Sequence, residues 1–377
     1  MTGPPVTFVV ESGTDVRLVE GLAARCSLRV LARRIPGGVE VSREPREPVD
    51  TWTGPASRGR FARAAFSRLR SLSAADRVIV QGYGPAALAA NLAAQVTGAR
   101  TIMLVCSPVE RYYECRRHAA DAGRPYRVYE LALIRLFARL NARVGREYIV
   151  LSRHLEQVVR SHGARGPVGV IPVYGVDGDV FRPATNSKDA IRRERKLPPG
   201  GKLIFFSSRI APEKDPHTLL AAVRRLVEAG RDIRLLHRSG GFRAMIGAAE
   251  AAGIRDRVIA TDAVHPEREL PRDYQASDLC VQASKAEGLG FSPLESLACE
   301  VPVVAADVGG LRETIVDGST GWTYPPGDAA ALAGAIADAL DHPDEAARRA
   351  RAGRAMVLER FERGSVFDRL MAELERT

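Results

Sequence analysis

Short, continuous apolar runs rich in β-branched residues alternate with longer helical patterns from one end of the chain to the other. Most of these runs do not alternate between polar and apolar residues, which is typical of parallel strands that helices cover on both faces. Repeated strand–helix units of this kind predict an α/β protein with doubly wound parallel sheets. The predicted strands are Val6–Val10, Leu28–Leu31, Val78–Val80, Thr101–Val105, Tyr148–Leu151, Val168–Val173, Leu203–Phe206, Ile233–Leu236, Val258–Ala260, Leu279–Gln282 and Pro302–Ala305.

The number of predicted strands and a break in composition indicate two domains. One sheet of this width would be unusual, and 377 residues are enough for two domains. A charged stretch that ends in Leu-Pro-Pro-Gly-Gly is typical of a linker. Two Rossmann-like domains would face each other across a central cleft, where the carboxyl ends of parallel strands bind ligands. We predict an N-terminal domain over 1–183, a linker over 184–200, a C-terminal domain over 201–355, and a C-terminal helix over 356–377 that packs back on the N-terminal domain.

The cysteines and the apolar stretches indicate the cellular compartment in which the protein works. The chain has five cysteines, an odd number, and no two of them form a Cys-x-x-Cys pair. Neither a disulfide framework nor a zinc ribbon is predicted, which favours a reducing cytoplasm. No apolar stretch is long enough to span a membrane, and the first residues do not resemble a secretory signal. The histidines lack the spacing of metal ligands, so no metal site is predicted.

Positive charge is concentrated in the first half of the chain. Residues 1–200 carry 32 Lys and Arg against 18 Asp and Glu, whereas residues 201–377 carry 23 against 27. Arg135, Arg139 and Arg143 recur every fourth residue and would form a stripe on one helix. Two interpretations stay open, a solvated helix face and a surface for an acidic acceptor or an anionic membrane. No basic-aromatic module that binds nucleic acid is visible.

The segment from Ala286 to Glu295 is the most informative candidate site. Gly288 and Gly290 allow a tight turn and close backbone approach to a ligand. A helix predicted to begin near Ser292 would present its N-terminus, which favours anions. Glu287 and Glu295 then lie at the entry of the loop and inside the helix. An ordinary strand–helix connection with two surface glutamates is the alternative.

A second loop joins a predicted strand to a predicted helix. Arg209 and Lys214 flank this loop, where two cations could hold a diphosphate. A solvated basic loop is the simpler interpretation of this segment taken alone.

Two further motifs favour a structural interpretation. The Gly-Tyr-Gly-Pro-Ala-Ala run at 82–87 resembles a dinucleotide fingerprint, but Thr101–Val105 lacks the acid expected about 20 residues further on. NAD binding is therefore not predicted. Asp177 and Asp179 resemble a metal-binding pair, but a turn is the better interpretation because no other ligands accompany them.

The order of these segments resembles that of the family 4 glycosyltransferases, enzymes of the GT-B fold that use nucleotide sugars. The resemblance covers most of residues 168–342, while the N-terminal half matches only in general layout. The matching residues are Val170–Asp177 with Phe181 and Pro183, Ser208–Lys214, Tyr274–Asp278, Glu287–Glu295, Val301–Ala305, Gly309, Gly310 and Glu313, and Asp317–Gly321.

This resemblance implies roles for the matching positions. Arg209 and Lys214 would hold the donor diphosphate, Glu287 would contact the sugar near the reacting carbon, and Glu295 would bind the ribose. The remaining donor-binding residues would be Gly13, Gly288, Leu289, Gly290 and Phe291. Enzymes of this family retain the anomeric configuration and need neither a metal nor another cofactor.

The resulting prediction is a bacterial, cytoplasmic hexosyltransferase that uses a UDP- or GDP-sugar and an acceptor alcohol. The acceptor would be a glycan, a lipid-linked sugar or a small molecule, in cell-surface glycan or secondary-metabolite biosynthesis. Two alternatives are a nucleotide-sugar epimerase of the same fold and a non-catalytic subunit that binds nucleotide sugars. The presence of Glu287, Glu295, Arg209 and Lys214 argues against the second. Its one supporting feature is Cys106-Ser107-Pro108, where the resembled enzymes often carry a histidine.

Overall fold

The computed structural model describes residues 4–35, 48–118 and 126–376. The chain divides into two compact units. The first unit comprises Met1–Glu114, Tyr126–Gly175 and Gly364–Thr377, and the second comprises Cys115–Pro125 and Val176–Arg363. No helix among the described residues is long and apolar enough to cross a membrane.

The first unit contains a seven-stranded parallel sheet in the order β3-β2-β1-β4-β5-β6-β7. Its strands are β1 Val6–Val10, β2 Leu28–Arg33, β3 Asp50–Gly54, β4 Arg77–Gln81, β5 Arg100–Val105, β6 Glu147–Val150 and β7 Val168–Val170. The helices of this part of the chain are α1 Val16–Ala23, α2 Arg58–Leu69, α3 Pro85–Thr97, α4 Val109–Glu114, α5 Val128–Val144 and α6 Arg153–Ser161. One core cluster packs Phe61 and Leu69 of α2 and the alanines of α3 against β1, β2 and β4.

The second unit contains a six-stranded parallel sheet in the order β10-β9-β8-β11-β12-β13. Its strands are β8 Lys202–Phe206, β9 Ile233–Arg238, β10 Val258–Thr261, β11 Leu279–Gln282, β12 Val303–Ala306 and β13 Trp322–Tyr324. The helices are α7 Lys188–Glu194, α8 Pro216–Glu228, α9 Phe242–Ala251, α10 Leu270–Ala276, α11 Phe291–Ala298, α12 Ala329–Asp341 and α13 Pro343–Arg360. Buried residues of α8 and α12 pack on one face of this sheet. The predicted pair of Rossmann-like parallel sheets is therefore confirmed.

The segment predicted as a linker, 184–200, packs on the rest of the second unit. Helix α7 lies within it, and its Ile191 and Arg192 are buried. Arg192 Nη2 donates to Asp278 Oδ2 at 2.6 Å, and Arg192 Nε donates to the carbonyl of Ala276 at 3.0 Å. The high charge of the segment thus reflects buried ion pairing as well as solvent exposure.

The last helix, α14, spans Arg363–Glu375 and follows α13 after a short break. From Gly364 onward the chain belongs to the first unit. Arg77 Nε donates to the carbonyl of Leu374 at 3.0 Å, and the Phe367 ring fills the space that the missing side chain of Gly21 leaves. A side chain at position 21 would displace this ring.

A buried histidine in the second unit gives the fold a pH dependence. His237 on β9 is fully buried, and its Nδ1 donates to the carbonyl of Phe206 at 3.0 Å. Burial lowers the pKa of His237 to about 4, since a charged ring would lose its hydration. In the unfolded chain this histidine titrates near pH 6.5. Between these values the unfolded state binds the proton and the folded state does not, so the free energy of unfolding falls as the pH is lowered.

Because of this histidine, we expect the free energy of unfolding to fall by up to about 3 kcal/mol when the pH is lowered from 7 to 4. Denaturant titrations at both pH values, for the wild type and His237→Asn, measure its share. The asparagine keeps a donor near the carbonyl of Phe206 and removes the titrating ring, so its acid loss should be smaller. His342→Asn, which replaces an exposed ring, serves as the control. Equal acid losses in the wild type and His237→Asn would contradict this account.

Candidate active site

Two loops at the carboxyl edge of the second sheet bring most of the predicted donor-site residues together. The first, here the cationic loop, spans 207–215 and follows β8; the second, the acidic loop, spans 283–290 and follows β11. Strands β8 and β11 are neighbours, and the strand order reverses between them. Ligands of open α/β sheets bind at such a reversal.

Lys214 of the cationic loop forms an ion pair with Glu287 of the acidic loop. Both side chains are largely buried, with 14% of Lys214 and 8% of Glu287 exposed. The Glu287 carboxylate also accepts hydrogen bonds from Gln282 Nε2 at 3.0 Å, Ser284 Oγ at 3.1 Å and the Gly288 amide at 3.2 Å. These donors fix the position of a buried negative charge at the edge of the sheet.

Arg209 lies at the other end of the cationic loop and is 61% exposed. It forms an ion pair with Glu213, which is buried. Because the Arg209 guanidinium is largely exposed, it is accessible to a ligand phosphate.

Backbone and side-chain contacts hold the cationic loop against the acidic loop. The Lys285 amide donates to the carbonyl of Glu213 at 2.8 Å, and Lys285 Nζ lies 3.1 Å from Asp215 Oδ1. Asp215 is the N-terminal capping residue of α8 and adopts a left-handed conformation with a φ of 45°. Thr218 Oγ1 donates to its carboxylate at 2.6 Å. These contacts position Lys214 for Glu287.

Helix α11 carries the second predicted glutamate. It begins at Phe291, one residue before the predicted start, and Gly290 caps it with a φ of 93°. A Cβ on Gly290 would lie 2.5 Å from Leu311 Cδ2, so the turn requires glycine on two grounds. Glu295 is buried, and the Tyr274 hydroxyl donates to its Oε2 at 2.9 Å. Burial raises the pKa of Tyr274 well above its ordinary value, so the hydroxyl keeps its proton.

Several residues that shape this site were not predicted from the sequence. Gln282 and Ser284 orient Glu287, and Ser208 Oγ donates to Gln282 Oε1 at 3.0 Å. Gly310 lies so close that a Cβ there would be 2.1 Å from the carbonyl of Gly288. A polar glutamine at the end of an otherwise apolar strand was a visible signal for Gln282.

The other predicted site residues lie in the first unit. Gly13 follows β1 with a φ of 84°, and its carbonyl accepts from Gln81 Nε2 at 3.1 Å. On α5, Arg135 pairs with Glu114 at 2.8 Å, whereas Arg139 and Arg143 are exposed. A donor-binding role for Gly13 stays a prediction.

The aspartates at 177 and 179 form a turn, as predicted. Asp177 Oδ1 accepts from the amides of Asp179 at 3.0 Å and Val180 at 3.1 Å. Within residues 4–35, 48–118 and 126–376, no cluster of three or more His, Cys, Asp or Glu side chains could hold a metal ion.

Replacing Glu295 with glutamine is expected to weaken nucleoside diphosphate binding about tenfold, with a smaller loss of turnover. A ribose contact exists in substrate, transition state and product alike, so its loss changes affinity more than rate. Calorimetry and steady-state kinetics measure the two effects. Tyr274→Phe, which removes only the hydroxyl that orients Glu295, should show a weaker form of the same pattern. A turnover loss without any affinity loss would remove the ribose assignment.

The sequence around this site is similar to that of known proteins. Residues 187–356 match the family described as "Glycosyl transferases group 1". The chain is 35% identical over 211 residues to a D-inositol 3-phosphate glycosyltransferase of Xylanimonas cellulosilytica, which covers 53% of this chain and 49% of that protein. The chain thus spans about half the length of this curated relative. The predicted resemblance to glycosyltransferases is therefore confirmed over residues 187–356.

Solved structures share the fold of nearly the whole chain. Sucrose-phosphate synthase of Thermosynechococcus elongatus superposes with a TM-score of 0.79 at 21% identity, covering 98% of both chains. HepE of Anabaena, in complex with UDP-glucose, superposes with a TM-score of 0.76 at 16% identity, also over 98% of both chains. These likenesses show the GT-B fold.

Proposed function

We propose that the protein is a retaining glycosyltransferase that moves a hexose from a UDP- or GDP-sugar to an acceptor hydroxyl. The observation that carries this proposal is the buried Lys214–Glu287 pair at the strand-order reversal of the second sheet. The family match over residues 187–356 and the binding of UDP-glucose by the structural neighbour HepE support a nucleotide-sugar donor.

The two loops suit the charges that develop during transfer. Departure of the nucleoside diphosphate builds negative charge, which Arg209, Lys214 and the N-terminus of α11 would stabilise. The sugar carbon gains positive charge in an oxocarbenium-like transition state, which the Glu287 carboxylate would stabilise. When the diphosphate binds Lys214, the ammonium is shared between phosphate and Glu287. The acceptor would attack the face from which the diphosphate leaves, so the configuration is retained.

The proposed donor unit is the second one, and the proposed acceptor unit is the first. The acceptor is an alcohol on a glycan, a lipid-linked sugar or a small molecule, in cell-surface glycan or secondary-metabolite biosynthesis. No metal or cofactor is assigned to the reaction, which we place in the cytoplasm.

A donor screen tests the proposal. Purified protein is incubated with UDP- and GDP-hexoses and a set of alcohols, with and without EDTA, and the products are followed by NMR. We expect release of nucleoside diphosphate, a glycoside with the anomeric configuration of the donor, and no loss of activity on chelation. Sugar isomerisation without an acceptor would favour the epimerase, and binding without turnover would favour the non-catalytic subunit. Inversion of configuration would contradict the retaining mechanism.

The exposed face of α5 supports a second proposal, peripheral contact with an anionic membrane surface. Leu133 and Leu136 are about half exposed on this helix, beside the exposed guanidinium groups of Arg139 and Arg143. Apolar side chains next to cations match the acyl boundary and the anionic headgroups of a lipid surface.

Binding to anionic vesicles should therefore weaken steeply with salt, and reversal of Arg139 and Arg143 to glutamate should abolish it. Co-sedimentation with phosphatidylglycerol and phosphatidylcholine vesicles measures the effect. Reversal of Arg153 and Arg165, two exposed arginines of the same unit outside α5, is the matched control. Equal binding to both vesicle types would restore the interpretation as a solvated helix face.

A further inference from the structure

The first sheet also has a strand-order reversal. The function proposed above assigns no role to the side chains and the turn that lie there. The order β3-β2-β1-β4-β5-β6-β7 reverses between β1 and β4. Glu11 is the first residue after β1, and the Gly82-Tyr83-Gly84 turn joins β4 to α3. In open α/β sheets this position is where ligands bind.

The N-terminus of α3 lies at this reversal and already binds the Glu11 carboxylate. Glu11 Oε2 accepts a hydrogen bond from the Ala86 amide, in the first turn of the helix, at 3.0 Å. A Cβ on Gly84 would lie 2.0 Å from the same oxygen, so the carboxylate reaches the helix because residue 84 is glycine. The carboxylate thus occupies the place that a phosphate takes in nucleotide-binding sheets. This explains a glycine-rich turn that resembles a dinucleotide fingerprint without its acid.

The second carboxylate oxygen of Glu11, Oε1, could accept a hydrogen bond that it does not receive. Oε1 is closed off from solvent and accepts no hydrogen bond from the residues that the structure describes. The neighbouring cation is Arg58, whose Nε lies 3.5 Å away and whose side chain is 60% exposed. Burial raises the pKa of Glu11, while the Ala86 amide, Arg58 and Arg33 act in the opposite direction. A buried carboxylate oxygen without a hydrogen bond is rare and favours a missing donor.

The backbone around Glu11 is fixed, so the carboxylate is held ready for a ligand. Arg33 Nε donates to the carbonyl of Glu11 at 2.7 Å, and Arg33 Nη1 donates to the carbonyl of Ala56 at 2.7 Å. Arg58, the first residue of α2, is the cation next to Oε1, and most of its side chain lies in solvent.

We propose that Glu11 binds a hydroxyl group of the acceptor through Oε1 and excludes phosphate from the strand-order reversal of the first sheet. The hydroxyl supplies the donor that Oε1 lacks. A phosphate would meet a buried like charge at the helix N-terminus, and like charges in such a position repel strongly. The hydroxyl-binding role rests on the proposed transferase function, whereas the exclusion of phosphate does not.

Inorganic phosphate tests the exclusion independently of any activity. The Ala86 amide signal of the wild type should not respond to phosphate in NMR titrations. Glu11→Ala removes the carboxylate from the N-terminus of α3 and keeps Gly84, so its Ala86 signal should shift saturably as phosphate is added. Glu156→Ala, which removes an acid from the first turn of α6, is the matched control and should gain no site. Phosphate binding by the wild type, or none by Glu11→Ala, would overturn the exclusion.

Glucose, glycerol and myo-inositol serve as neutral alcohol probes for the hydroxyl role. At least one should shift the Ala86 signal of the wild type and not that of Glu11→Gln. With an alcohol that supports transfer, Glu11→Gln should raise the acceptor KM about tenfold or more and leave nucleoside diphosphate affinity unchanged. An unchanged acceptor KM, or no shift with any of the three alcohols, would overturn the hydroxyl role. Failure of the transferase proposal itself would show instead as absent nucleoside diphosphate binding, with the phosphate result for Glu11→Ala intact.

Discussion

Replacing Glu287 with glutamine is expected to lower turnover by about 10²–10³-fold while nucleoside diphosphate still binds. Glutamine keeps the size of the side chain and can still accept from Gln282 and Ser284, whose bonds to the carboxylate are 3.0 and 3.1 Å long. It removes the negative charge that we place beside the reacting sugar. That charge matters most when positive charge develops on the sugar, so the loss belongs to the transition state.

Single-turnover rates and calorimetry of the same preparations separate the two quantities. Glu228→Gln, an exposed acid of α8, is the matched control and should leave both unchanged. Thermal melting checks that the variant is folded. Full turnover in Glu287→Gln would show that the role assigned to Glu287 is wrong. It would favour the epimerase or the non-catalytic subunit.

The second large effect is expected in the cationic loop, at Arg209 and Lys214. Arg209→Ala should weaken nucleoside diphosphate binding roughly tenfold to hundredfold, since a charge-assisted contact contributes about 1.5–3 kcal/mol. It also leaves Glu213, which is 5% exposed, without its cation, so the melting temperature should fall. Lys214→Met should weaken binding to a similar extent and also lower the melting temperature. It leaves Glu287, which is 8% exposed, without its cation.

Calorimetric titration and thermal melting of both variants measure the losses of affinity and of stability. Arg225→Ala removes an exposed arginine of α8 and serves as the control. Unchanged affinity in both Arg209→Ala and Lys214→Met would mean that the diphosphate binds elsewhere.

The sequence predicted the interior strands well because each is a continuous apolar run. Two strands were missed, β3 at Asp50–Gly54 and β13 at Trp322–Tyr324, and both lie at the edge of a sheet. An edge strand pairs on one side only and needs a shorter, less apolar segment, so its pattern is weak. Composition also does not reveal that Arg192, within the segment predicted as a linker, is buried against Asp278.

The candidate site was predicted residue by residue, but the contacts within it were not. Spacing suggested that Arg209 and Lys214 act as a pair, whereas the structure gives each its own acidic partner, Glu213 and Glu287. The pairing of Lys214 with Glu287 joins loops 73 positions apart. Such contacts depend on strand order, which local patterns do not specify.

The same limit applied to Glu11. Its glycine-rich partner turn was visible in the sequence, where the missing dinucleotide acid argued against NAD binding. That a carboxylate from 75 positions away occupies the helix N-terminus became visible only with β1 and β4 side by side.

The central claim is that the cationic and acidic loops of the second unit hold the diphosphate of a nucleotide sugar. Calorimetric titration of the wild type and Lys214→Met with UDP and GDP in EDTA tests it most directly. We predict one site per chain for one of these nucleotides, with affinity roughly tenfold to hundredfold weaker in Lys214→Met and unchanged in Arg225→Ala. Absence of binding to both nucleotides, or equal binding by wild type and Lys214→Met, would contradict the claim.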